Sequence, residues 1–419
     1  MGNFRARTLG SNTELFTLPL DRPLAQWEDP RIVHVPRGLS RHVVRFVDLD
    51  GEIFAIKEAT DRFVLREHGL LRSLQERSVP SVEPFGTVSE RTDDDGDELG
   101  GLLVTRHLRY SQPYRALFTG REMPQLRLRL LDALAGLFVR LHLAGFYWGD
   151  CSLSNTLFRR DAGALAAYLV DAETGELHTL LSDGQRAHDL DIARMNIAGD
   201  LVDLQAAGLV DPALDVVELT DLAQSRYESL WHELTQDVTI PRGENYLINQ
   251  RLRRLNDLGF DVGEMTLTTT PDGQLALKFD PQVVDAGHHQ RVLFELTGLR
   301  VQANQARALL ADLWRYKAKW EDGVGHPVPD DLAARRWLDE KFYATLALVP
   351  PELRAKLPDA ELFHEISEHR WLLSEDLGAD VGRQRAVTSY IESVLRDLPD
   401  TSVDLSSGPP TEEFEPIFE

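Results

Sequence analysis

Residues 145–158 read GFYWGDCSLSNTLF and place two polar side chains, Asp150 and Asn155, on a loop directly after a long helical pattern. The run that follows, NTLFRR, then DAGA, then AAYLVD, has the alternation and turn residues of a β-hairpin. A hairpin brings its two ends together, so Asp171, at the end of the return strand, belongs beside Asn155, with Asp150 close by. One amide and two carboxylates then face one spot. Oxygen ligands of this kind suit Mg²⁺, which keeps several waters and is completed by substrate phosphates. The plainer reading of Asp150 and Asn155 is an Asx-rich loop capping a helix, and a D-x-x-x-x-N spacing alone does not separate the two. Cys151 is the chain's single cysteine. The local sequence offers it no histidine nearer than His142 to act as a base, so it reads as a packing residue beneath the loop.

Upstream, RIVHV, HVVRFVDL and EIFAIKEA are three short β-rich runs, the last two joined by the turn DLDG, and they predict an antiparallel meander. TDRFVLREHGLLRSLQER then carries Phe63, Leu70, Leu71 and Leu74 at helical spacing, with Thr60 or Asp61 as its N-cap. VEPFGTVSE and GGLLVTRHL read as two more strands joined by the acidic turn RTDDDGDE, in which TDDDGDE has Gly96 in the wrong place for a calcium loop and reads as a solvated hairpin turn. A five-stranded sheet with one helix results. Lys57, in the third run, is the only lysine among the first 277 residues, in a chain otherwise rich in Arg. From about 123 to 144 the sequence is a strongly amphipathic helix that ends at Gly145, and 176 to 240 is mostly helical.

The order of Lys57, Glu67, Asp150, Asn155 and Asp171 resembles the protein-kinase-like fold. FAIKEA looks like its third-strand lysine motif, WGDCSLSN like its catalytic loop, and VDAETGE stands where that fold carries DFG. The resemblance implies a catalytic Asp150 near an acceptor hydroxyl and a catalytic Lys57 on the nucleotide phosphates. It further implies Glu67, preferred to Glu76, as the partner of Lys57, and Ala55 leaving room for an adenine ring. Gly38 and Ser40 of PRGLSR would cover the phosphates, and Asn155 and Asp171 would hold the metal. ATP and Mg²⁺ are the cofactors expected. The stretch from 30 to about 230 is most similar to the bacterial lipopolysaccharide kinases, which act on sugars, and resembles aminoglycoside- and choline-type kinases too. The chain departs from the pattern in having Trp148 and Gly149 where His and Arg usually precede the catalytic Asp, one glycine in the phosphate loop, and no APE-like segment. A small hydroxylated acceptor is therefore expected rather than a protein. The alternative reading is a catalytically weak, nucleotide-binding pseudokinase that acts as a sensor or scaffold through its C-terminal domain.

The fold expected is α+β: a two-lobed kinase-like domain, with an antiparallel sheet plus helix in the N-lobe (30–110) and a mostly helical C-lobe (111–240). A polar segment (1–29) precedes it. A mainly helical α+β domain (241–398) follows, containing the hairpin EMTLTTTPDGQLALKF and resembling the uncharacterised domain that accompanies such kinases in some bacterial proteins, where a protein partner would dock. The acidic, Pro- and Ser-rich tail (399–419) is expected to be disordered. A net charge of −23 over 419 residues argues against nucleic-acid or anionic-membrane binding. One cysteine, no signal-like run and no apolar stretch of spanning length predict a cytoplasmic protein. HEISEH (364–369) spaces its histidines five apart, which is wrong for a zinc-protease helix. His364 with Glu368, and Glu365 with His369, read instead as i,i+4 surface pairs. His288, His289 and Arg291 at a helix start are read as a polar cap in preference to an anion site. Arg315, Lys317 and Lys319 fit phosphate binding or aromatic packing equally.

Overall fold

Period-two alternation in the first hundred residues builds one antiparallel sheet. The computed structural model describes residues 4–10, 13–35, 42–114, 117, 124–235, 238–240, 265–269, 275–279 and 287–398. Gly38, Ser40 and the rest of the loop 36–41, the PDG turn at 271–273 and the tail 399–419 lie outside them. The described chain forms two compact units, one from residues up to Arg72 plus Val82–Arg109, the other from Ser73–Ser81 and the chain from Tyr110 onward.

The first unit has strands β1 (Arg5–Thr8), β2 (Ile32–Val33), β3 (Val44–Leu49), β4 (Glu52–Ala59), β5 (Glu83–Ser89) and β6 (Gly101–Arg106), with helix α1 (Asp61–Glu76) between β4 and β5. The sheet order is β1-β5-β6-β4-β3-β2, every pairing antiparallel. On β4, Phe54 and Ile56 point into the core, so Ala55 and Lys57 share the opposite face. This is the N-lobe sheet and helix of a kinase-like fold.

Two features differ from expectation. The sheet has six strands, because β1 adds to β5. The segment before residue 30, read as polar, instead buries Leu15, Leu18, Leu20, Leu24 and Trp27 against Phe54, Ile56, Phe85 and Val104. Its anchor is Arg91, fully buried directly before the acidic turn, whose residues 94–98 are exposed. The guanidinium donates to Leu20 O at 2.8 Å, to Gly100 O at 2.6 Å, to Glu58 Oε1 at 2.8 Å and to Arg22 O. One side chain thereby closes the backbone of the N-terminal segment onto the hairpin between β5 and β6.

The second unit begins with β7 (Gln112–Pro113) and the long helix α2 (Pro124–Leu143), followed by β8 (Phe146–Tyr147), the hairpin β9 (Thr156–Asp161) and β10 (Ala164–Leu169), and β11 (Glu176–Leu177). α2 buries Leu130, Leu134, Phe138 and Leu141, spaced to share one face. Helices α3 (Asp183–Ala206), which opens with a Ser182/Gln185 capping box, and α4 (Val216–Thr235) complete this part. A small antiparallel sheet has β14 (Leu275–Phe279) between β12 (Val238–Ile240) and β13 (Met265–Thr269). The rest is helical: α5 (His288–Thr297), α6 (Ala303–Val324), α7 (Asp330–Trp337), α8 (Asp359–Leu377) and α9 (Arg383–Tyr390), with shorter helical segments at Leu338–Tyr343, Ala344–Leu346, Pro351–Arg354 and Ile391–Leu395. They pack around Leu309, Leu313, Trp337, Phe342, Phe363 and Tyr390. No described helix is long and apolar enough to cross a membrane.

Within this unit the helices hold the tip of the β9–β10 hairpin. Asp161 accepts from Gln305 N at 2.8 Å and Asn304 N at 3.2 Å, capping α6. Glu361 accepts from Ala162 N and from Gln305 Nε2, both at 2.8 Å. Glu365 binds Arg160 at 3.0 Å and accepts from Tyr390, while His369 meets Ser389 at 2.9 Å. The expected Glu365–His369 pair is therefore replaced by contacts across elements, whereas His364 and Glu368 do lie 3.9 Å apart. Lys317 sits against Asp330 and Glu321 and 5.8 Å from the Trp314 ring.

Candidate active site

The loop after α2 is shaped first by glycine. Gly145 has φ +76°, and a β-carbon there would lie 2.2 Å from His178 O. Gly149 has φ +74°, so the residue directly before Asp150 occupies a conformation that the usual Arg would strain. β8 pairs with β11, which sets where the loop starts.

The loop is then pinned from α3. Asp189, fully buried, accepts from Trp148 N at 2.7 Å and Gly149 N at 2.8 Å. It also meets His142 Nε2 at 3.1 Å, and because a carboxylate only accepts, Nε2 carries the proton. His142 Nδ1 then accepts from the Tyr227 hydroxyl at 2.7 Å. Burial lowers the His142 pKa, which keeps the ring neutral in this role. One helical stripe further along, Asp200 accepts from Leu153 N at 2.8 Å and Ser154 Oγ at 3.3 Å. Burial pushes its carboxyl above the ordinary range.

Asp150 receives Asn196 Nδ2 on Oδ1 at 3.1 Å, again from α3. Asn155 donates from Nδ2 to Asp150 O at 3.0 Å, which turns its amide oxygen away from that carbonyl. The hairpin register pairs Thr156 with Leu169, and Val170 N donates to Asn155 O at 3.1 Å, so Asn155 and Asp171 flank the same hairpin base. Asp171 is held through its backbone, whose O accepts Trp148 Nε1 at 3.0 Å, and through Oδ1, which accepts Glu173 N at 2.9 Å. Trp148 thus ties the loop to the end of the hairpin, a task for which the usual His is not required. Cys151 is fully buried, and burial first, then the carboxylates of Asp189, Asp200 and Asp150, raises its thiol pKa well above the ordinary value.

In the first unit, Lys57 Nζ lies 3.0 Å from Glu67 Oε2, with Glu67 only 2% exposed. Glu67, not Glu76, is the partner. Ala55 sits on the same strand face, between Phe46 of β3 and Thr105 of β6. Sequence reasoning did not single out Asp189, Asn196 and Asp200. Their signal is present nonetheless, as polar residues at i, i+7 and i+11 along one helix.

Sheet, helix and loop together define a kinase-like fold. Residues 56–206 match the lipopolysaccharide kinase (Kdo/WaaP) family, and residues 229–395 match a domain of unknown function, DUF4032. A solved structure described as WaaP in complex with acyl carrier protein is similar over 61% of this chain and 99% of that one, at 16% identity and TM-score 0.38. No curated protein matches the chain.

Proposed function

We propose that the protein is an ATP- and Mg²⁺-dependent phosphotransferase acting on a hydroxyl of a sugar or other small molecule. The observation that carries this reading is the arrangement around the hairpin base, with Asn155 and Asp171 flanking its two strands and the Asp150 carboxylate oriented by Asn196. The match of residues 56–206 to a kinase family supports it. Asp150 takes the proton of the acceptor hydroxyl, and Lys57, held by Glu67, meets the nucleotide phosphates. The donor set of Asn155 and Asp171 is made of hard oxygens, which fits Mg²⁺. When bound, that ion would neutralise charge on the transferring phosphoryl group. The protein's own contribution is orientation. Asp189 and Asp200 fix the loop backbone, so Asp150 and Asn155 are presented without reorganisation.

The test is Mg²⁺-dependent ATP turnover across a panel of sugars and amino alcohols. Wild type is expected to turn over with at least one acceptor, and Asp150→Asn to lose about 10²- to 10⁴-fold in kcat. ATP binding with no turnover on any acceptor would favour the pseudokinase reading, and undiminished transfer by Asp150→Asn would remove the role assigned to that residue.

A further inference from the structure

The second unit contains a cleft of about 540 Å³ between helix α2, the turn that follows α1, strand β10 and the start of α6. Asp150, Asn155 and Asp171 are not among the residues of its wall. Arg129, Asp132, Ala133, Gly136 and Arg140 stand at i, i+3, i+4, i+7 and i+11 along α2, so they line the cleft as one helical face. The middle of that face is small, and β10 adds Ala164, Ala166 and Ala167. Gly136 is buried, yet a β-carbon on it would meet only Arg140 Nη1, at 3.5 Å, which is ordinary contact. A glycine inside a helix costs about 0.5–1 kcal/mol relative to alanine. No neighbouring element requires it here, and what it leaves is room.

The chemistry of the wall selects against ions. Its charged groups balance, Arg129 and Arg140 against Asp132 and Asp161. Asp161 already accepts from the amides of Asn304 and Gln305, Asp132 pairs with Arg226 at 3.4 Å, and the buried Arg140 lies in the field of Asp161. An anion would meet the two carboxylates and a cation the two guanidiniums, and either would give up its water. A neutral molecule rich in hydroxyls escapes both costs. Ser81, in the same wall, has its Oγ buried with no hydrogen-bond partner among the described residues. A buried hydroxyl left in that state costs about 1–3 kcal/mol, which a hydroxyl on a ligand would recover. The amide side chains of Gln75, Gln290 and Asn304 border the space as well, and an amide both donates to and accepts from a hydroxyl. Gly287 borders it as the N-cap of α5, so His288 and His289 stand inside that helix and not at its cap.

We propose that this cleft is a second ligand site, which takes a neutral, polyhydroxylated small molecule of the size of a mono- or disaccharide. A ligand hydroxyl meets Ser81 Oγ, and the carbon skeleton lies over Ala133 and Gly136. The site does not depend on the phosphotransfer reading. It is tested by calorimetric titration of the full chain, without nucleotide or Mg²⁺, with glucose, N-acetylglucosamine and maltose, and with glucosamine and glucose 6-phosphate as charged counterparts. At least one neutral sugar is expected to bind at one site per chain, about tenfold or more tightly than either charged form. Ser81→Ala should weaken that binding by about three- to tenfold, the value of one hydrogen bond. The same variant should leave the melting temperature of the free chain unchanged or raise it, because it removes an unsatisfied group, so lost binding would not reflect a damaged fold. Ala133→Leu, which fills the middle of the cleft, should abolish binding, and Asp150→Asn should leave it unchanged. The proposal is overturned if wild type binds none of the neutral sugars, if a charged form binds as tightly, if Ser81→Ala and Ala133→Leu both bind at full strength, or if Asp150→Asn abolishes binding.

Discussion

The hydrogen bond from Asn196 to Asp150 Oδ1 orients the carboxylate from α3, a helix outside the loop that carries it. Asn196→Ala should therefore lower kcat about tenfold, the value of one lost charge-assisted hydrogen bond, with a much smaller change in the KM for ATP. Asn196→Asp, which sets a second carboxylate against the first, should be worse than alanine. Equal kinetics for wild type and both variants would show that the contact is structural. At Cys151, burial and three nearby carboxylates oppose the thiolate, the form that reacts with alkylating reagents. The native chain should resist iodoacetamide at pH 8 for hours and be labelled at one site once urea is added; rapid native labelling would contradict the packing shown.

Among the elements, the closure of the N-terminal segment rests on Arg91, whose four acceptors come from three separate stretches of chain. Arg91→Met keeps the length but takes the donor from Glu58 Oε1 and from the carbonyls of Leu20, Arg22 and Gly100, of which, among the described residues, only Arg22 O keeps another donor, Trp27 Nε1, so a loss of about 3 kcal/mol is expected, read as an earlier first unfolding transition in urea. This segment was also the least legible part of the sequence. Leu15, Leu18, Leu20, Leu24 and Trp27 are spaced by 3, 2, 4 and 3, which follows neither the strand nor the helix period, so no repeating signal announces a buried face. By contrast β3, β4 and α1 carry clean periods between turn residues, and the Lys57–Glu67 pair follows because a strand and the next helix are joined by a single residue, Thr60. The hairpin that brings Asn155 to Asp171 was readable for the same reason. Asp189 and Asn196 were not, since which face of α3 meets the loop is settled by tertiary packing around Tyr227 and His142.

At the scale of the whole molecule, the helices after residue 287 grip the far end of the hairpin whose base carries Asn155 and Asp171, and the grip includes a buried acid. Burial pushes the Glu361 carboxyl up to about 7 from an ordinary 4.5, against the opposing donations from Ala162 N and Gln305 Nε2. Asp161 beside it is raised as well, for the same cause. A carboxyl whose pKa is higher in the folded chain binds its proton more tightly there. Its contribution to stability is fully present below 4.5 and is lost as pH rises through about 7. Between those values the folded chain holds more protons than the unfolded one, so stability falls with rising pH, by roughly 1–3 kcal/mol for this group. Glu361→Gln keeps the acceptor oxygen and removes the titration. Thermal melting at pH 5 and pH 8 should show the variant close to wild type at the lower pH and more stable at the higher. The difference should follow a single titration, with the hairpin amide of Ala162 gaining protection from hydrogen exchange at pH 8. A difference between variant and wild type that stays constant with pH would mean that Glu361 is ionised throughout. In that case the hairpin tip would be held by a fixed charge instead of by a proton that leaves near neutrality.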